Sequence, residues 1–431
     1  MKQTVNIIGA GLAGSEAAYQ LAKRGIKVNL YESKRIKRND AQNSSFLAEL
    51  VCSNSLRSND LKNAVGLMKE ELRVLDSLLI KMADKYQVPA GGALAVDREK
   101  FSEAITQELM KNPLINIIDE EVTEILSGPT IIASGPLTSE VLSLKIKDFL
   151  GSEFLYFYDA IAPIIDADSI DMSKAYFKSR YDKGSADYIN CPMTETEYAN
   201  WYNEVINAKT AKIKDFELKV FEGCMPFEEM AKRGYQTLLY GPMKPVGLAL
   251  DRDNRPFAVV QLRQDNLRKT MYNIVGFQTH LTFSEQKRII RMIPGLENAE
   301  IIRYGIMHRN TFINAPSAIN ASYQSKKRPD LFFAGQISGV EGYVESIASG
   351  LVAGLNMFRL LNDLPLLEFP IETAIGAQAH YIANALVSEF QPMNVNFGIF
   401  PELKEKHKKN QRKELYVKRA LEKINEFIDK V

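Results

Sequence analysis

Three glycines near the N-terminus, Gly9, Gly11 and Gly14, have the spacing G-x-G-x-x-G and directly follow an apolar run. An alanine-rich stretch comes next, and Glu32 ends the following apolar run. In a strand-turn-helix unit the first glycine permits a tight turn, the second lets a pyrophosphate approach, and the third lets helix and strand pack closely. An acidic residue at the second strand end accepts from ribose hydroxyls. The pattern predicts a dinucleotide-binding βαβ unit rather than a glycine turn without ligand, with these candidate contacts: Gly9, Ala10, Gly11, Leu12, Ala13, Gly14 and Glu32.

Two later segments distinguish between the possible dinucleotides. Ala133-Ser134-Gly135 and Phe333-Ala334-Gly335-Gln336 each end an apolar run in a glycine turn. Such turns return to the first βαβ unit in FAD-binding folds of the glutathione-reductase type, although either alone is also an ordinary strand end. The chain has no second G-x-G-x-x-G motif for a separate nicotinamide domain. We therefore expect FAD, with Gly135, Gly335 and Gln336 as further contacts, and NAD(P)H that visits the flavin without a domain of its own.

The three cysteines, Cys52, Cys191 and Cys224, are the candidate nucleophiles. Their odd number and wide spacing predict neither a zinc site nor a disulfide framework. Cys224 lies between Gly223 and Met225-Pro226, a turn-like setting that can expose sulfur, and Cys52 lies in a polar stretch. A thiolate there would suit covalent catalysis, whereas the alternative is a small buried apolar side chain. Cys191 precedes a proline, and we assign it a structural role.

The length and composition limit the number of domains and the class of protein. The 431 residues suffice for two or three domains, and 54 Lys and Arg nearly balance 53 Asp and Glu, so any basic surface must be local. No run approaches the roughly 20 apolar residues of a membrane span, and we expect a cytoplasmic protein. The order of elements predicts an α/β fold: a Rossmann-type FAD-binding domain over residues 1–140 and 330–431, with a large α+β domain inserted at 141–329. A helical run is expected at Phe46–Leu50.

The segment Phe46–Ser58, which reads FLAELVCSNSLRS, closely resembles the signature of the folate- and FAD-dependent tRNA uracil-5-methyltransferases, the TrmFO family. The resemblance extends over nearly the whole chain in further blocks. These are Pro89–Asp97, Tyr156–Ala160, Ala175–Pro192, Phe221–Pro226, Gly241–Gly247, Gln261–Asn266, Tyr304–Asn314 and Gly335–Gly350.

This resemblance implies methylation of C5 of an RNA uridine. The carbon would come from 5,10-methylenetetrahydrofolate and the hydride from FADH2, which NAD(P)H regenerates. Cys224 matches the family thiolate that adds to C6 of the uracil. Cys52 matches a cysteine near the flavin, which either holds the one-carbon unit or removes the C5 proton. His280 and His308 lie in family-like blocks, and each is either a neighbour of the flavin or a structural histidine. Tyr343 and Glu345, which follow the turn at 339–342, would lie near the flavin or the pterin in the predicted FAD fold.

One departure concerns the residues before the Cys52 block. The family pattern carries a His-His pair there, whereas this chain has Asp40–Ser45. The difference suggests a divergent paralogue and makes ribosomal RNA a candidate substrate beside the T-loop of tRNA. Candidate phosphate contacts are Lys178, Arg180, Lys183, Lys244, Arg263, Arg268, Lys269, Arg288 and the tail from Lys404 to Lys423. Two alternative hypotheses remain: an FAD-dependent oxidoreductase that acts on a small molecule, and an RNA-binding flavoprotein that has lost catalysis.

Overall fold

The computed structural model describes residues 4–39, 42–151, 155–182, 185–211, 225–250, 255–388, 390–404, 407–408 and 410–431. Its N-terminal part confirms the predicted βαβ unit and continues with further strands and helices. These elements are β1 (Val5–Ile8), α1 (Leu12–Lys23), β2 (Val28–Glu32), β3 (Ser55–Ser58), α2 (Ala64–Val74), α3 (Leu78–Lys85), β4 (Gln87–Val88), β5 (Ala93–Val96), α4 (Arg98–Lys111), β6 (Ile115–Asp119), β7 (Thr130–Ile132) and α5 (Glu140–Leu150).

The middle of the chain is rich in short strands, and the C-terminal part is mainly helical. The middle elements are β8 (Leu155–Ala160), β9 (Ile164–Asp166), β10 (Tyr176–Phe177), β11 (Tyr188–Met193), α6 (Glu195–Ile206), α7 (Phe227–Lys232), α8 (Thr237–Tyr240), β12 (Ala258–Gln264), β13 (Met271–Ile274), α9 (Phe283–Ile290), β14 (Ile301–Arg303) and β15 (Met307–Phe312). The last elements are α10 (Ala315–Ala318), β16 (Leu331–Phe333), α11 (Tyr343–Leu361), α12 (Ala374–Asn384) and α13 (Arg412–Ile428).

A parallel sheet in the order β16-β7-β1-β2-β6 forms the centre of the first core. Its strands are short apolar runs, as expected for a sheet covered by helices on its faces. β1 lies between β2 and β7, so the carboxyl end of β1, where the glycine turn begins, is flanked by the ends of its neighbours. Ligands of open α/β sheets bind at such carboxyl ends.

Helices α1 and α11 pack unusually closely behind this edge. A Cβ atom on Gly350 would lie 2.2 Å from the carbonyl oxygen of Ala13, and one on Gly354 would lie 3.0 Å from that of Ala17. α11 has the length and composition of a membrane-spanning helix, but 78% of the relevant window is buried inside the protein. Its apolar character is therefore accounted for by the core.

The second core surrounds a six-stranded antiparallel sheet in the order β10-β11-β12-β13-β9-β14. Helices α6, α7 and α9 contribute Trp201, Phe227 and Ile289 to it. β8 and β15 form a separate antiparallel pair where the chain leaves and re-enters the first core. Because α5 and residues 312–333 pack in the first core, we propose boundaries near 150 and 312 instead of the predicted 140 and 330.

The helical run expected at Phe46–Leu50 is wrong. These residues form bends, and Ala48 has a positive φ of 51°. The N–H of Ala48 donates to the carbonyl of Ala10, and that of Leu47 donates to the hydroxyl of Thr106. Tertiary hydrogen bonds to the glycine turn and to α4 therefore replace the helical ones, which places the following Cys52 beside the turn.

Candidate active site

The glycine turn has the geometry that its spacing predicts. Gly9 has φ +98°, and a Cβ there would lie 2.6 Å from the carbonyl oxygen of Ala133. A Cβ on Gly14 would lie 1.8 Å from the carbonyl oxygen of Gly9, so this position must be glycine for α1 to follow β1. A Cβ on Gly11, by contrast, would meet nothing within 4 Å. The space in front of Gly11 is thus open to a ligand.

The start of α1 is suited to an anion. Gly11 is its N-cap residue, no side chain of the described chain caps this end, and its first turn carries no acidic residue. The N-terminus of a helix combines unbonded N–H groups with the positive end of the helix dipole. Together with the open space before Gly11, this end fits the pyrophosphate of FAD.

Glu32 ends β2 with its carboxylate turned toward the glycine turn. One oxygen accepts from the N–H of Ala10 at 3.0 Å and the other from the N–H of Lys34 at 2.9 Å. The side chain is 7% exposed. Each carboxylate oxygen has a second acceptor site, so Glu32 is held in place and can still accept from a ribose hydroxyl.

The two later glycine turns lie at the same sheet edge. Gly135 follows β7 with φ +74°, and Gly335 follows β16 with φ +76°. The N–H of Gly335 donates to the hydroxyl of Ser349 in α11 at 2.7 Å, which joins this turn to the helix behind it. The parallel pairing of β16, β7 and β1 therefore gathers three turns that are far apart in the sequence.

These turns enclose a cavity with about 1320 Å³ of empty space, counting its open mouth. Most of the predicted contact residues line it. The lining residues among those predicted are Gly9, Gly11, Leu12, Ala13, Glu32, Cys52, Gly135, Gly335, Gln336 and Tyr343. Ala10, Gly14 and Glu345 do not line it, and their role as cofactor contacts stays a prediction.

Cys52 reaches this cavity in a short segment, residues 51–54, that we call the Cys52 loop. The hydroxyl of Tyr343 accepts from the backbone N–H groups of Cys52 and Ser53 at 2.7 and 3.2 Å. Burial, followed by the nearby Cys52, raises the pKa of Tyr343 well above its ordinary value, so this hydroxyl keeps its proton at neutral pH. Cys52 and the glycine turn thus line the same cavity.

Three arginines from distant parts of the chain also bind the Cys52 loop. Arg98 donates to the carbonyl of Leu50, just before the loop, at 2.9 Å and to that of Val51 at 3.5 Å, and Arg303 also donates to the carbonyl of Val51. Arg263 donates to the hydroxyl of Ser53 at 2.7 Å and to the side-chain oxygen of Asn54 at 3.1 Å. The loop therefore sits in a strongly cationic environment, which favours anionic groups nearby.

Asp265 provides the counter-charge to this cluster. It is 2% exposed and accepts from two nitrogens of Arg98 at 3.1 and 3.2 Å. Because Arg98 belongs to α4 and Asp265 follows β12, this ion pair joins the two cores at the Cys52 loop.

The structure decides two of the candidate roles. His280 fits the structural alternative and not the neighbour of the flavin: it does not line the cavity, it is 4% exposed, and its Nδ1 lies 2.8 Å from a carboxylate oxygen of Glu228. Arg263 was expected to contact RNA phosphates, but it is buried and binds the Cys52 loop. The presence of an arginine in a sequence does not show on which side of a strand its side chain points.

Three other predicted residues cannot be placed. Cys224 and Lys183 lie outside the described residues, and the side chain of His308 is likewise outside them.

Two further predicted residues are buried away from the cavity. Glu345 is fully buried and pairs with Arg57. Cys191 packs in the second core, where burial raises the pKa of its thiol to about 12, in agreement with a structural role.

Sequence reasoning missed several polar residues that line the cavity. Lys34 is nearly buried, and its ammonium binds the carbonyl of Phe46 at 2.7 Å and the carboxylate of Glu49 at 3.2 Å. Ser134 and Thr138, which follow β7, share a hydrogen bond of 2.7 Å. Their position after strands of the parallel sheet was the available signal, because such strand ends meet at one edge. Among the described residues, no group of three or more His, Cys, Asp or Glu side chains is placed to hold a metal ion.

Comparisons with known proteins agree with this site. Residues 4–365 match the profile of the family described as glucose inhibited division protein A, GIDA. Two solved crystal forms of Aquifex aeolicus GidA superpose with TM-scores of 0.70 and 0.71 and cover 99% of this chain, but only 73% and 76% of theirs. Their sequence identity of 16% and 17% makes this a likeness of fold, the Rossmann-type FAD-dependent fold predicted above.

Curated relatives are far more similar in sequence. The methylenetetrahydrofolate-tRNA-(uracil-5-)-methyltransferase TrmFO of Bacillus licheniformis is 61% identical over 427 residues, 98% of each chain. The enzymes of the same name from Bacillus subtilis and Listeria monocytogenes are 60% and 59% identical, over 98% and 100% of each chain. With identity at this level over the full length, and with the glycine turn and the Cys52 loop at one cavity, the chain belongs to the TrmFO family.

Proposed function

We propose that this protein methylates C5 of a uridine in tRNA, with 5,10-methylenetetrahydrofolate as carbon donor and FADH2 as reductant. The observation that carries the proposal is the single cavity that joins the dinucleotide turn to the Cys52 loop. The names of the relatives favour tRNA over ribosomal RNA, despite the missing His-His pair. The same names do not favour a small-molecule oxidoreductase.

The balanced reaction defines what the protein must do. The methylene carbon of the folate would form a bond to C5, and both of its bonds to the folate nitrogens N5 and N10 would break. FADH2 would supply the hydride that completes the methyl group, while the proton lost from C5 and the second hydrogen of FADH2 would protonate the two folate nitrogens. Uracil C5 is a poor nucleophile, and covalent addition of a thiolate at C6 divides the reaction into easier steps. The protein must therefore provide a thiolate, a base and a site closed to water.

Cys224 is the proposed thiolate, on the basis of the family resemblance. The described residues on either side of the segment 212–224 are held by hydrogen bonds to a neighbouring part of the chain, which supports a defined position for Cys224. The N–H of Ala211 donates to the carbonyl of His280 at 2.7 Å, and the N–H of Phe227 donates to the carbonyl of Gln278 at 2.8 Å. Residues 278–280 thus bind the chain on both sides of the segment 212–224, which contains Cys224.

Cys52 is the proposed second thiol, beside the flavin. It lines the cavity together with Gly335, Gln336 and Tyr343, and the Cys52 loop is held by main-chain hydrogen bonds on both sides. A thiol held in this manner can act on the one-carbon unit or take the C5 proton. NAD(P)H is the proposed source of reducing equivalents for the flavin, and the cytoplasm the proposed compartment.

Exposed basic side chains would position the RNA. Arg268 and Lys269 are exposed in the turn after β12, next to Asp265 and therefore near the Cys52 loop. Other predicted contacts are already engaged: Lys178 pairs with Asp182, and Arg288 pairs with Glu204 and Glu285. The turn at 267–270 is the strongest candidate among the residues that the structure describes.

The test is the formation of 5-methyluridine. Purified protein with a flavin spectrum is incubated with methylenetetrahydrofolate, NAD(P)H and either tRNA or ribosomal RNA, and the product is mapped by mass spectrometry. We expect product from tRNA. Absence of product from both RNAs, together with efficient NAD(P)H oxidation by a small molecule, would replace this proposal by the oxidoreductase alternative.

Replacement of Cys224 tests the proposed nucleophile. We expect Cys224→Ala to abolish 5-methyluridine formation and to retain bound FAD, because the thiol acts on the uracil and not on the cofactor. The matched control is Cys191→Ala, which removes a thiol in the second core and should keep activity. Full activity of the Cys224 variant would show that another group attacks C6.

A further inference from the structure

A buried ion pair lies next to the cavity without lining it. Glu345, in the first turn of α11, is fully buried, and one guanidinium nitrogen of Arg57 lies 2.5 Å from each of its carboxylate oxygens. Arg57 is 35% exposed, so the pair is open to water on the arginine side only. A buried carboxylate is costly to desolvate, and removal of its partner leaves an uncompensated charge.

The carboxylate of Glu345 is fixed on its other side by the backbone. It accepts from the N–H of Val395 at 2.9 Å. Gly342, which precedes α11 with φ +109°, is required by the same arrangement, since a Cβ there would lie 2.4 Å from a carboxylate oxygen of Glu345. The start of α11 is therefore built around this ion pair.

Arg57 belongs to β3, which directly follows the Cys52 loop. Lys69 of α2 holds this strand from behind: its ammonium donates to the carbonyls of Leu56 at 2.8 Å and Ser58 at 2.6 Å. Lys69 is itself completely buried. β3 therefore cannot move without breaking these hydrogen bonds. Because Arg57 of β3 pairs with Glu345 of α11, the position of β3 also fixes the start of α11.

The contacts close into a ring. From Cys52 the chain runs through Asn54 into β3 and Arg57, the ion pair crosses to Glu345, and the first turn of α11 leads back to Tyr343. The hydroxyl of Tyr343 then accepts from the N–H of Cys52. We propose that the Arg57–Glu345 pair is a positioning element that fixes the Cys52 loop against Tyr343 at the cavity.

This assignment differs from the role predicted for Glu345 from the sequence. A cofactor contact would require the carboxylate to face the cavity, whereas Glu345 does not line it and its carboxylate points to Arg57 and Val395. Glu345 acts on the reaction through the Cys52 loop. A misplacement of a reacting group by about 1 Å can lower a rate by about 100-fold, so a small shift of the loop would be measurable.

The test uses the full-length protein with FAD bound and the variants Glu345→Gln and Arg57→Lys. Two quantities are measured: kcat and KM for 5-methyluridine formation, and the rate at which iodoacetamide alkylates Cys52, mapped by peptide mass spectrometry. We expect Glu345→Gln to lower kcat by roughly 10- to 100-fold with KM nearly unchanged. We expect Cys52 to be alkylated several-fold faster and FAD to remain bound.

Arg57→Lys serves as the second variant, because it keeps the charge and changes a side chain that is partly exposed, so we expect the variant to fold. We expect a smaller change of both quantities in the same direction, since lysine cannot reproduce the guanidinium geometry. The matched control is Asp84→Asn, which breaks the ion pair between Asp84 and Arg73, two contacts of 2.8 Å, away from the cavity. It should change neither quantity.

Two results would overturn the inference. One is wild-type kcat and wild-type Cys52 alkylation in both Glu345→Gln and Arg57→Lys. The other is a loss of activity that excess FAD restores, which would make Glu345 a cofactor contact. The kinetic measurement rests on the proposed function, but alkylation does not: a protein that methylates no RNA would contradict the proposed function and still report on the Cys52 loop.

Discussion

At the scale of single residues, Cys52 and Cys191 show how environment separates two thiols of one chain. Cys191 is fully buried between apolar side chains, and burial raises its pKa to about 12. Cys52 is half-buried, lines the cavity and has Arg98 and Arg303 as neighbours. Thiol reactivity depends on access and on nearby positive charge, so only Cys52 of these two is suited to chemistry.

The hydroxyl of Tyr343 should matter for rate and not for cofactor binding. Tyr343→Phe removes the acceptor of two N–H groups of the Cys52 loop, each hydrogen bond contributing about 1 kcal/mol. We expect kcat to fall by roughly tenfold or more, with FAD content unchanged. The control is Tyr381→Phe on α12, which removes one hydrogen bond from the hydroxyl to the carbonyl of Gln391. Equal activities of the two variants would contradict this role.

Gly11 allows a direct test of the FAD site. A Cβ at Gly11 meets no protein atom within 4 Å, so Gly11→Ala should fold normally, but the methyl group would occupy space that the pyrophosphate needs. We expect weakened FAD binding by fluorescence titration and an unchanged melting temperature without FAD. Gly92→Ala is matched, because its Cβ also meets nothing within 4 Å, and Gly92 does not line the cavity. FAD affinity equal in both variants would place the pyrophosphate elsewhere.

At the scale of elements, the sequence was most informative where a local pattern and the tertiary fold agree. β1, α1 and β2 coincide with the apolar run, the alanine-rich stretch and the second apolar run of the sequence, because glycine spacing and apolar periodicity both specify a βαβ unit. By contrast, the sequence has one long amphipathic pattern from Val65 to Tyr86, which forms two helices in the structure. Asp76, with φ 56°, and Ser77, whose hydroxyl caps α3, divide it.

The candidate site could be predicted only in part, for a physical reason. Glycine turns are recognised from a few neighbouring residues, so Gly9, Gly11 and Gly335 could be found. The partners of the Cys52 loop cannot, because Arg263 and Arg303 are more than 200 residues away and reach it only through the fold. For the same reason the ion pair between Glu345 and Arg57 could not be predicted, and Glu345 was expected near the flavin instead.

Helix α12 should respond to pH through one carboxyl group. Glu71 accepts from the N–H groups of Ala374 and Ile375 at 2.7 and 2.9 Å, at the start of α12, and burial raises its pKa from 4.5 to about 8. Between these values the folded chain holds a proton that the unfolded chain has released. Its contribution to stability is therefore complete below the unfolded pKa and is lost as the pH rises through the folded pKa.

We therefore expect the melting temperature of the wild type to fall as the pH rises from about 5 to about 8, and Glu71→Gln to reduce this slope. Glu70→Gln, a neighbouring carboxylate that pairs with Arg73 at the surface, is the control and should leave the slope unchanged. Identical slopes in wild type and Glu71→Gln would show that Glu71 does not carry the dependence. The measurement is thermal unfolding followed by circular dichroism across this pH range.

At the scale of the whole molecule, the reaction site lies where the two cores meet. The Cys52 loop belongs to the first core but is bound by Arg263, and Arg98 beside it by Asp265, both from the strand region of the second core. The N–H of Leu267 also donates to the carboxylate of Asp97 at 2.9 Å. If RNA binds on the second domain, as proposed, these contacts would bring it close to the proposed flavin site on the first.

The turn after β12 should contribute to RNA affinity. We expect the double variant Arg268→Ala and Lys269→Ala to bind tRNA more weakly and to reduce the dependence of log K on log salt by about 1 to 2, since each phosphate contact releases about one counterion. FAD binding should be unaffected. Lys100→Ala with Lys111→Ala removes two exposed charges of α4 and serves as the control. An unchanged salt dependence of the first variant would exclude this turn from the RNA surface.

The close packing of α1 against α11 also bears on how the protein is made. The glycine turn leaves the ribosome first, whereas strand β16 and its cover, Gly350 and Gly354 of α11, follow more than 300 residues later. Until then the apolar face of α1 at Ala13 and Ala17 lacks its native neighbour. We therefore expect FAD to bind only after residue 354 has left the ribosome, and nascent chains that stall before residue 350 to expose this face to chaperones and proteases.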